Sequence, residues 1–275
     1  MSLRGLFVKN YRDGKHFNTE LSSLPTQNWE RCLDRIQKMP REELERHQVF
    51  KGHMPFGLHE FLPRPVGYIT FLRDPVRRAI SHYRMLCRKK IVPPPHVIAP
   101  FRGNWNTASH PELAYALDNG QTRVLSGTDP DLPFGACSES HLQKALENLE
   151  RHFQFVGLTE QFDLSLLLLG KECGWKWHFY VPDNVTPGEG PSLSPALVES
   201  IRDLNRFDAE LYRYAQERFR ALADRHGWTL RAEHRLYSVG NHLHQRLHVL
   251  RHRLRRRLGI ERRPAMLMPL HPAAP

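Results

Sequence analysis

The chain reads as an α/β protein: a central parallel sheet flanked by helices, followed by a basic amphipathic helix. Three observations predict this. Runs that are almost wholly apolar and rich in β-branched or aromatic residues, above all "VGYITFL" (66–72), are what strands buried on both faces look like. Segments with apolar residues at helical spacing alternate with those runs, the mark of a parallel sheet with crossover helices. The charge is also uneven: of a net +11, the residues from Asn241 onward carry +7. With 275 residues, 40% of them hydrophobic, the chain can bury one substantial core. The expected organisation is a domain over residues 1–235 and a basic amphipathic helix with a Pro-rich tail over 236–275.

Leu3, Leu6, Phe7 and Tyr11 share one helical face and predict a first helix. Trp29, Leu33 and Ile36 predict a second, opened by Pro25-Thr26. "QVFKGH" (48–53) and "VGYITFL" read as strands. Pro75 has no place inside a central strand but suits the first turn of a helix, where its missing N–H costs nothing and Asp74 can cap. A strand therefore ends at Arg73 and a helix begins. "IVPPPHVIAPFRGNWNTASHP" (91–111) is a long Pro-rich connection, of the kind that is either a functional lid or simply mobile. "NGQTRVL" opens a short helix at 119–125. Next come a helix in "HLQKALENLERHF" (141–153), a strand in "FQFVGLTE" (153–160), a helix in "FDLSLLLLGKECGW" (162–175) and a last strand in "KWHFYVPDN" (176–184). One or two closing helices over 194–227 end at Gly227.

In an open parallel sheet, ligands gather beyond the carboxyl ends of the strands, where helix N-termini offer free N–H groups and partial positive charge. Arg73 stands there, with a planar fork suited to a phosphate, and Ser81 lies two helical turns on. Arg77 and Arg78 read as a solvated helix face. For Arg73 the plainer alternative is an ion pair with Asp74.

The stretch "YITFLRDPVRRAISHYR" (68–84) resembles the 3′-phosphate-binding segment of the sulfotransferases that use 3′-phosphoadenosine 5′-phosphosulfate (PAPS), in the branch that includes heparan sulfate 2-O- and 6-O-sulfotransferases and bacterial carbohydrate sulfotransferases. In that family R-D-P-x-x-R-x-x-S supplies an arginine and a serine to the cofactor's 3′-phosphate, here matched by Arg73 and Ser81. "FKGHMPFGLHEFL", "DNGQTRVLSG", "FVGLTEQFD" and "DAELYRYA" also resemble family segments, in the family's order. The resemblance implies a sulfotransferase fold related to the P-loop NTPases. It implies transfer of a sulfuryl group from PAPS to a hydroxyl, on a carbohydrate or glycolipid, with PAPS as cofactor and no metal.

The same resemblance suggests a catalytic base. The family's Gly-His pair corresponds to Gly52-His53, which "QVFKGH" would deliver at the carboxyl end of a strand. Histidine's ordinary pKa of about 6.5 leaves an imidazole mostly neutral, and so able to accept a proton, near pH 7. His59 and His82 are rivals among 17 histidines, and Glu60 is an outside candidate. Gln121, Thr122 and Arg123 in "NGQTRVL" fall in a region the resemblance places near the cofactor or acceptor, with an ordinary helix start as the alternative. "NVTPGEGPSLS" (184–194) occupies the position of a covering loop. Its glycines match neither the Walker nor the dinucleotide spacing.

The family's loop for the 5′-phosphosulfate, resembling P-K-T-G-G-T-S, has no counterpart here. "MSLRGLFVKNY" resembles the helix that follows it, which sets Ser2 at the loop's final serine, as a cofactor contact. The expectation is that a first strand and loop are missing from the sequence, encoded upstream of Met1, or else that the chain is a degenerate, non-catalytic relative that binds a nucleotide or polyanion.

In "HLHQRLHVLRHRLRRRLGI" (242–260), Leu243, Leu247, Leu250, Leu254 and Leu258 form one apolar stripe among arginines. Such a helix can dock on the body, self-associate or lie on an anionic membrane. No nucleic-acid motif is present, and a kinase would need a Walker lysine and metal-binding carboxylates that the sequence lacks. The four cysteines are scattered without zinc spacing, so they are read as reduced structural thiols. Without an apolar stretch of membrane-span length, and with a polar start to the chain, the expected location is cytoplasmic, peripheral to a membrane if the helix binds one.

Overall fold

The computed structural model describes residues 3–11, 15–18, 25–90, 117–127, 132–175, 179–182 and 195–258. Ser2, the connections 91–111 and 184–194, and the tail from Gly259 lie outside them.

Helix α1 (Leu3–Asn10) leads to strand β1 (Lys15–Asn18), then helices α2 (Pro25–Lys38) and α3 (Arg41–Glu45) and strand β2 (His47–Lys51). After a 3₁₀ turn at Leu58–Phe61 come β3 (Tyr68–Leu72) and α4 (Pro75–Arg88). Next in order are α5 (Gly120–Ser126), α6 (Glu139–His152), β4 (Phe153–Leu158) and, past a 3₁₀ turn at Thr159–Gln161, α7 (Phe162–Glu172). The closing helices are α8 (Pro195–Leu204), α9 (Arg206–Arg225) and α10 (Thr229–Arg257).

Among the described residues the sheet is two parallel pairs, β1 with β2 and β3 with β4. Ile69 to Leu72 stand opposite Phe155 to Leu158 in register. A Cβ built on Gly157 would come within 2.6 Å of the Phe71 ring, so this strand position takes glycine because a neighbour lies against its backbone. β4 is the centre of the main core. Helices α6, α7 and α9 close on it with Leu142, Leu149, Leu166, Leu169, Leu211 and Phe219. Leu6 of α1 belongs to the same core, and Phe7 meets the Trp175 ring edge-on at 5.0 Å. A second cluster joins Ala79, Tyr83 and Leu86 of α4 to Ile201 of α8. A third, Phe17, Cys32, Ile36, Leu44 and Leu58, binds β1 and β2 to α2 and α3.

Most elements lie where the spacing predicts, with β1 and α3 as additions. The strand expected over 176–184 does not form in its described part. There the Tyr180 N–H donates to Asn241 Oδ1 at 2.9 Å instead of to a ladder, and Phe179 stacks on Tyr237 at 5.5 Å. Gly227, at φ +73°, closes α9 in the left-handed conformation glycine adopts without strain. Helix α10 runs unbroken through the 235/236 boundary.

Candidate functional site

Because β3 and β4 are parallel, their carboxyl ends open on the same side, and each end is fixed by one side chain. At β3, the Arg73 N–H donates to Gln121 Oε1 at 2.8 Å, while the Gln121 amide donates back to the Arg73 carbonyl at 3.0 Å. At β4, Ser165 Oγ accepts from the Leu158 N–H at 2.9 Å and donates to the Leu158 carbonyl at 3.0 Å. Where a parallel ladder stops, backbone groups lose their partners, and these two side chains take over both roles.

Glu160, just past β4, ties the two ends together. Its Oε1 accepts from the Asp74 N–H at 3.1 Å and stands 3.9 Å from Arg73 Nε, and its Oε2 accepts from the Tyr212 hydroxyl at 2.7 Å. Burial, then the bond to Glu160, push the Tyr212 hydroxyl well above the ordinary tyrosine value, so it stays a donor. Asp74 does not pair with Arg73. Its Oδ1 caps α4 by accepting from the Arg77 N–H at 2.8 Å, and Pro75 takes the first turn as predicted. The Arg73 side chain keeps 38% exposure beside this network. A long, partly exposed contact with Glu160 aims the guanidinium more than it neutralises it.

Gln121 is itself held from the closing helices. Buried Asp208 accepts from the Thr122 N–H at 2.7 Å and the Gln121 N–H at 3.0 Å, taking up the free donors at the start of α5. Asn119 Oδ1 accepts from the Phe207 and Asp208 N–H groups, and Asn205 Nδ2 donates to the Leu117 carbonyl at 2.7 Å. Sequence reading missed Asn119, Asn205, Asp208 and Glu160 as parts of the site. The only available signal was that "DNGQTRVLSG", "FVGLTEQFD" and "DAELYRYA" all resembled segments of one family.

Arg123 points inward. Its guanidinium pairs with Asp118, side chains 5% and 3% exposed, and also donates to the carbonyls of Asp118, Leu132 and Pro133. Ser81 lies partly exposed on the helix that Arg73 and Asp74 introduce. His53, exposed two residues beyond β2, lies within electrostatic reach of His82 on α4. Burial first, then the charges of Arg78, His53 and Lys89, push the His82 imidazole down to about 4. His59 sits elsewhere: its Nδ1 meets the Tyr68 hydroxyl at 2.9 Å and its ring the His152 ring at 4.7 Å. Tyr68 opens β3 at the amino end, about 16 Å along the strand from Arg73. The structure thus brings Arg73, Gln121 and Glu160 together, sets Ser81 on the adjoining helix, and separates His59 from them.

All four cysteines are free, and burial raises Cys32 to about 11 and Cys137 to about 12, which leaves them poor nucleophiles. Among the described residues no group of three His, Cys, Asp or Glu could hold a metal ion.

No protein-family model matches the chain. Curated relatives do. Human heparan-sulfate 6-O-sulfotransferase 1 is 29% identical over 182 residues, covering 57% of this chain and 44% of that protein. Heparan-sulfate 6-O-sulfotransferase 2 of Danio rerio is 31% identical over 183 residues, 55% of this chain and 38% of its own length. Galactose-3-O-sulfotransferase 2 of Sus scrofa is 27% identical over 188 residues, 64% of this chain and 46% of that protein. The chain spans less than half the length of these curated relatives. The chain is thus similar to two groups of carbohydrate sulfotransferases, in line with the resemblance carried by the segment around Arg73.

Proposed function

We propose that the chain transfers a sulfuryl group from PAPS to a hydroxyl of a carbohydrate or glycolipid. The observation that carries this reading is Arg73: a partly exposed guanidinium at the shared carboxyl end of two parallel strands, its backbone locked on both sides by Gln121. The donor set fits a phosphate. It offers a bidentate cation, a serine hydroxyl two turns along the adjoining helix, and carboxylates already engaged, Glu160 by the Tyr212 hydroxyl and the Asp74 N–H and Asp74 by the Arg77 N–H.

PAPS, when bound, supplies the sulfuryl group and an adenosine 3′,5′-bisphosphate (PAP) leaving group. Arg73 and Ser81 hold the 3′-phosphate, and the Gln121 bracket fixes where the guanidinium starts, so little ordering entropy is lost on binding. His53 accepts the proton of the acceptor hydroxyl. Arg123 serves the reading indirectly, by holding the segment that carries Gln121. The names of the relatives, which act at hydroxyls of heparan sulfate and galactose, support a sugar hydroxyl as acceptor.

The test is incubation of the chain with radiolabelled PAPS and a panel of glycosaminoglycans, galactosides and glycolipids, with calorimetric titration of PAP alongside. Transfer of label to a carbohydrate, together with saturable PAP binding, is the expected result. Failure to bind PAP at all would overturn the reading.

A further inference from the structure

We infer that the outer half of α10 is an interfacial anchor that lies on an anionic membrane surface. This inference is independent of the sulfotransferase reading. The helix has two unlike halves. Its inner half is bound to the body: Leu230, Tyr237 and Asn241 are buried, Lys171 pairs with Glu233 at 2.6 Å, and Asn241 Nδ2 donates to Asp163 at 3.3 Å. Beyond Asn241, sixteen residues to Arg257 continue as helix for about 24 Å. On this half Leu243, Leu247, Leu250 and Leu254 are between 44% and 57% exposed, with Leu258 just past its end at 66%.

These leucines recur at three- and four-residue steps, so they fall on one stripe about 100° wide. In a water-soluble body such a stripe faces the core. Here it faces solvent over three turns, a larger continuous apolar surface than isolated exposed leucines make.

Charge identifies the occupant. From His234 to Arg257 there is no Asp or Glu. The exposed arginines Arg246 and Arg257 border the stripe on one side, and Arg251 and Arg255 on the other. A second copy pairing through the same leucines would set these arginines against their like, which disfavours a coiled-coil dimer. A bilayer interface with anionic headgroups meets both requirements at once. The leucines enter the acyl boundary, while the arginines on both flanks reach up to lipid phosphates. No helix among the described residues is long and apolar enough to cross a membrane, so α10 would lie in the interface, not span it.

The experiment uses the full chain with vesicles of phosphatidylcholine alone or with phosphatidylglycerol as the minor component, read by flotation. Binding to the anionic vesicles is expected to be at least roughly tenfold tighter than to neutral ones and to weaken with salt. Leu247→Ser with Leu250→Ser should abolish it with unchanged circular dichroism. Leu250→Trp should show a blue-shifted emission on anionic vesicles only. Several results would overturn the anchor. One is absence of binding to anionic vesicles. Another is unchanged binding of the double serine variant, which would mean charge adhesion without insertion. The third is self-association in lipid-free solution that the serine variant abolishes, which would make a second copy the occupant; preferential capture of an acidic helical peptide over vesicles counts the same way.

Discussion

The side-chain amide of Gln121 brackets the backbone of Arg73, accepting from its N–H at 2.8 Å and donating to its carbonyl at 3.0 Å across 48 residues of sequence. The arrangement imitates one rung of a β-ladder just where β3 runs out of strand to pair with. It fixes the base of the guanidinium without spending any of the guanidinium's own donors.

Removing the bracket should therefore be felt at a distance. Gln121→Ala leaves a strand-end N–H and carbonyl without partners, at a cost of about 1 to 3 kcal/mol in stability, and frees the Arg73 backbone. PAP affinity, measured by titration calorimetry on the folded variant, is expected to fall several-fold although Arg73 itself is intact. Unchanged affinity would disconnect the bracket from the anion site.

Arg73 is the direct test. Arg73→Ala is expected to weaken PAP binding by about 1.5 to 3 kcal/mol, the loss of a charge-assisted contact, and Ser81→Ala by about 0.5 to 1.5 kcal/mol. Because the side chain is 38% exposed and its ion pair with Glu160 is long, thermal stability should hardly move. A large drop in melting temperature with unchanged PAP affinity would reassign Arg73 to the fold.

Arg123 should behave in the opposite way. Its ion pair with Asp118 is buried, and Asp118 also accepts from the Gly135 N–H at 2.7 Å and from Asn119 Nδ2 at 2.8 Å. Arg123→Met leaves that carboxylate uncompensated and is expected to cost about 3 to 5 kcal/mol in urea unfolding. Whatever fraction remains folded should bind PAP nearly as the parent does. A tenfold loss of affinity at full stability would return Arg123 to the cofactor.

These contrasts show what the sequence made legible. β3 and β4 were plain because each is a run rich in apolar β-branched and aromatic residues, although β3 is only half-buried except at Leu72, and Asp74-Pro75 marked the helix start through chemistry that acts within three residues. β1 was not, since Lys-His-Phe-Asn offers a single apolar residue, Phe17, and owes its existence to pairing with β2. The network of Gln121, Glu160, Asn205 and Asp208 is polar and non-local: its bonds join residues 48 to 89 positions apart, and no periodicity records them. Arg123 was set near the cofactor or acceptor only by the resemblance of "NGQTRVL", with an ordinary helix start as the alternative. Its burial, which decides its role, is a property of the packed molecule.

His53 and His59 are separated by the same logic. His53→Ala is expected to lower turnover at least about a hundredfold with PAP affinity nearly unchanged, the pattern of a lost general base. His59 holds the Tyr68 hydroxyl at the other end of β3, so His59→Ala should reduce stability and leave any turnover of the folded variant close to that of the parent. The reverse outcome, measured with saturating PAPS and the acceptor found by screening, would move the base to His59.

The last prediction concerns His82 and acid. Burial, with Arg78, His53 and Lys89 adding positive charge, depresses its imidazole from 6.5 to about 4, so the folded protein resists a proton that the unfolded chain accepts. Between those values the unfolded state binds more protons, and stability must fall as pH falls. The contribution of neutral His82 is fully present above 6.5, is reduced by about 2 kcal/mol at pH 5, and is lost as pH falls through 4. His59 and His244, also depressed chiefly by burial, act in the same direction. Urea unfolding of the parent and of His82→Gln at pH 7 and pH 5 isolates the one residue. The variant should lose less stability over that interval, by an amount approaching the same 2 kcal/mol. Parallel losses would show that His82 titrates normally and that the fold does not exclude its proton. With His82 neutral down to about pH 5, an acid limb in the pH profile of turnover above that pH reports a different group. In His82→Gln that limb should persist, and it should disappear only with the residue that carries the acceptor's proton.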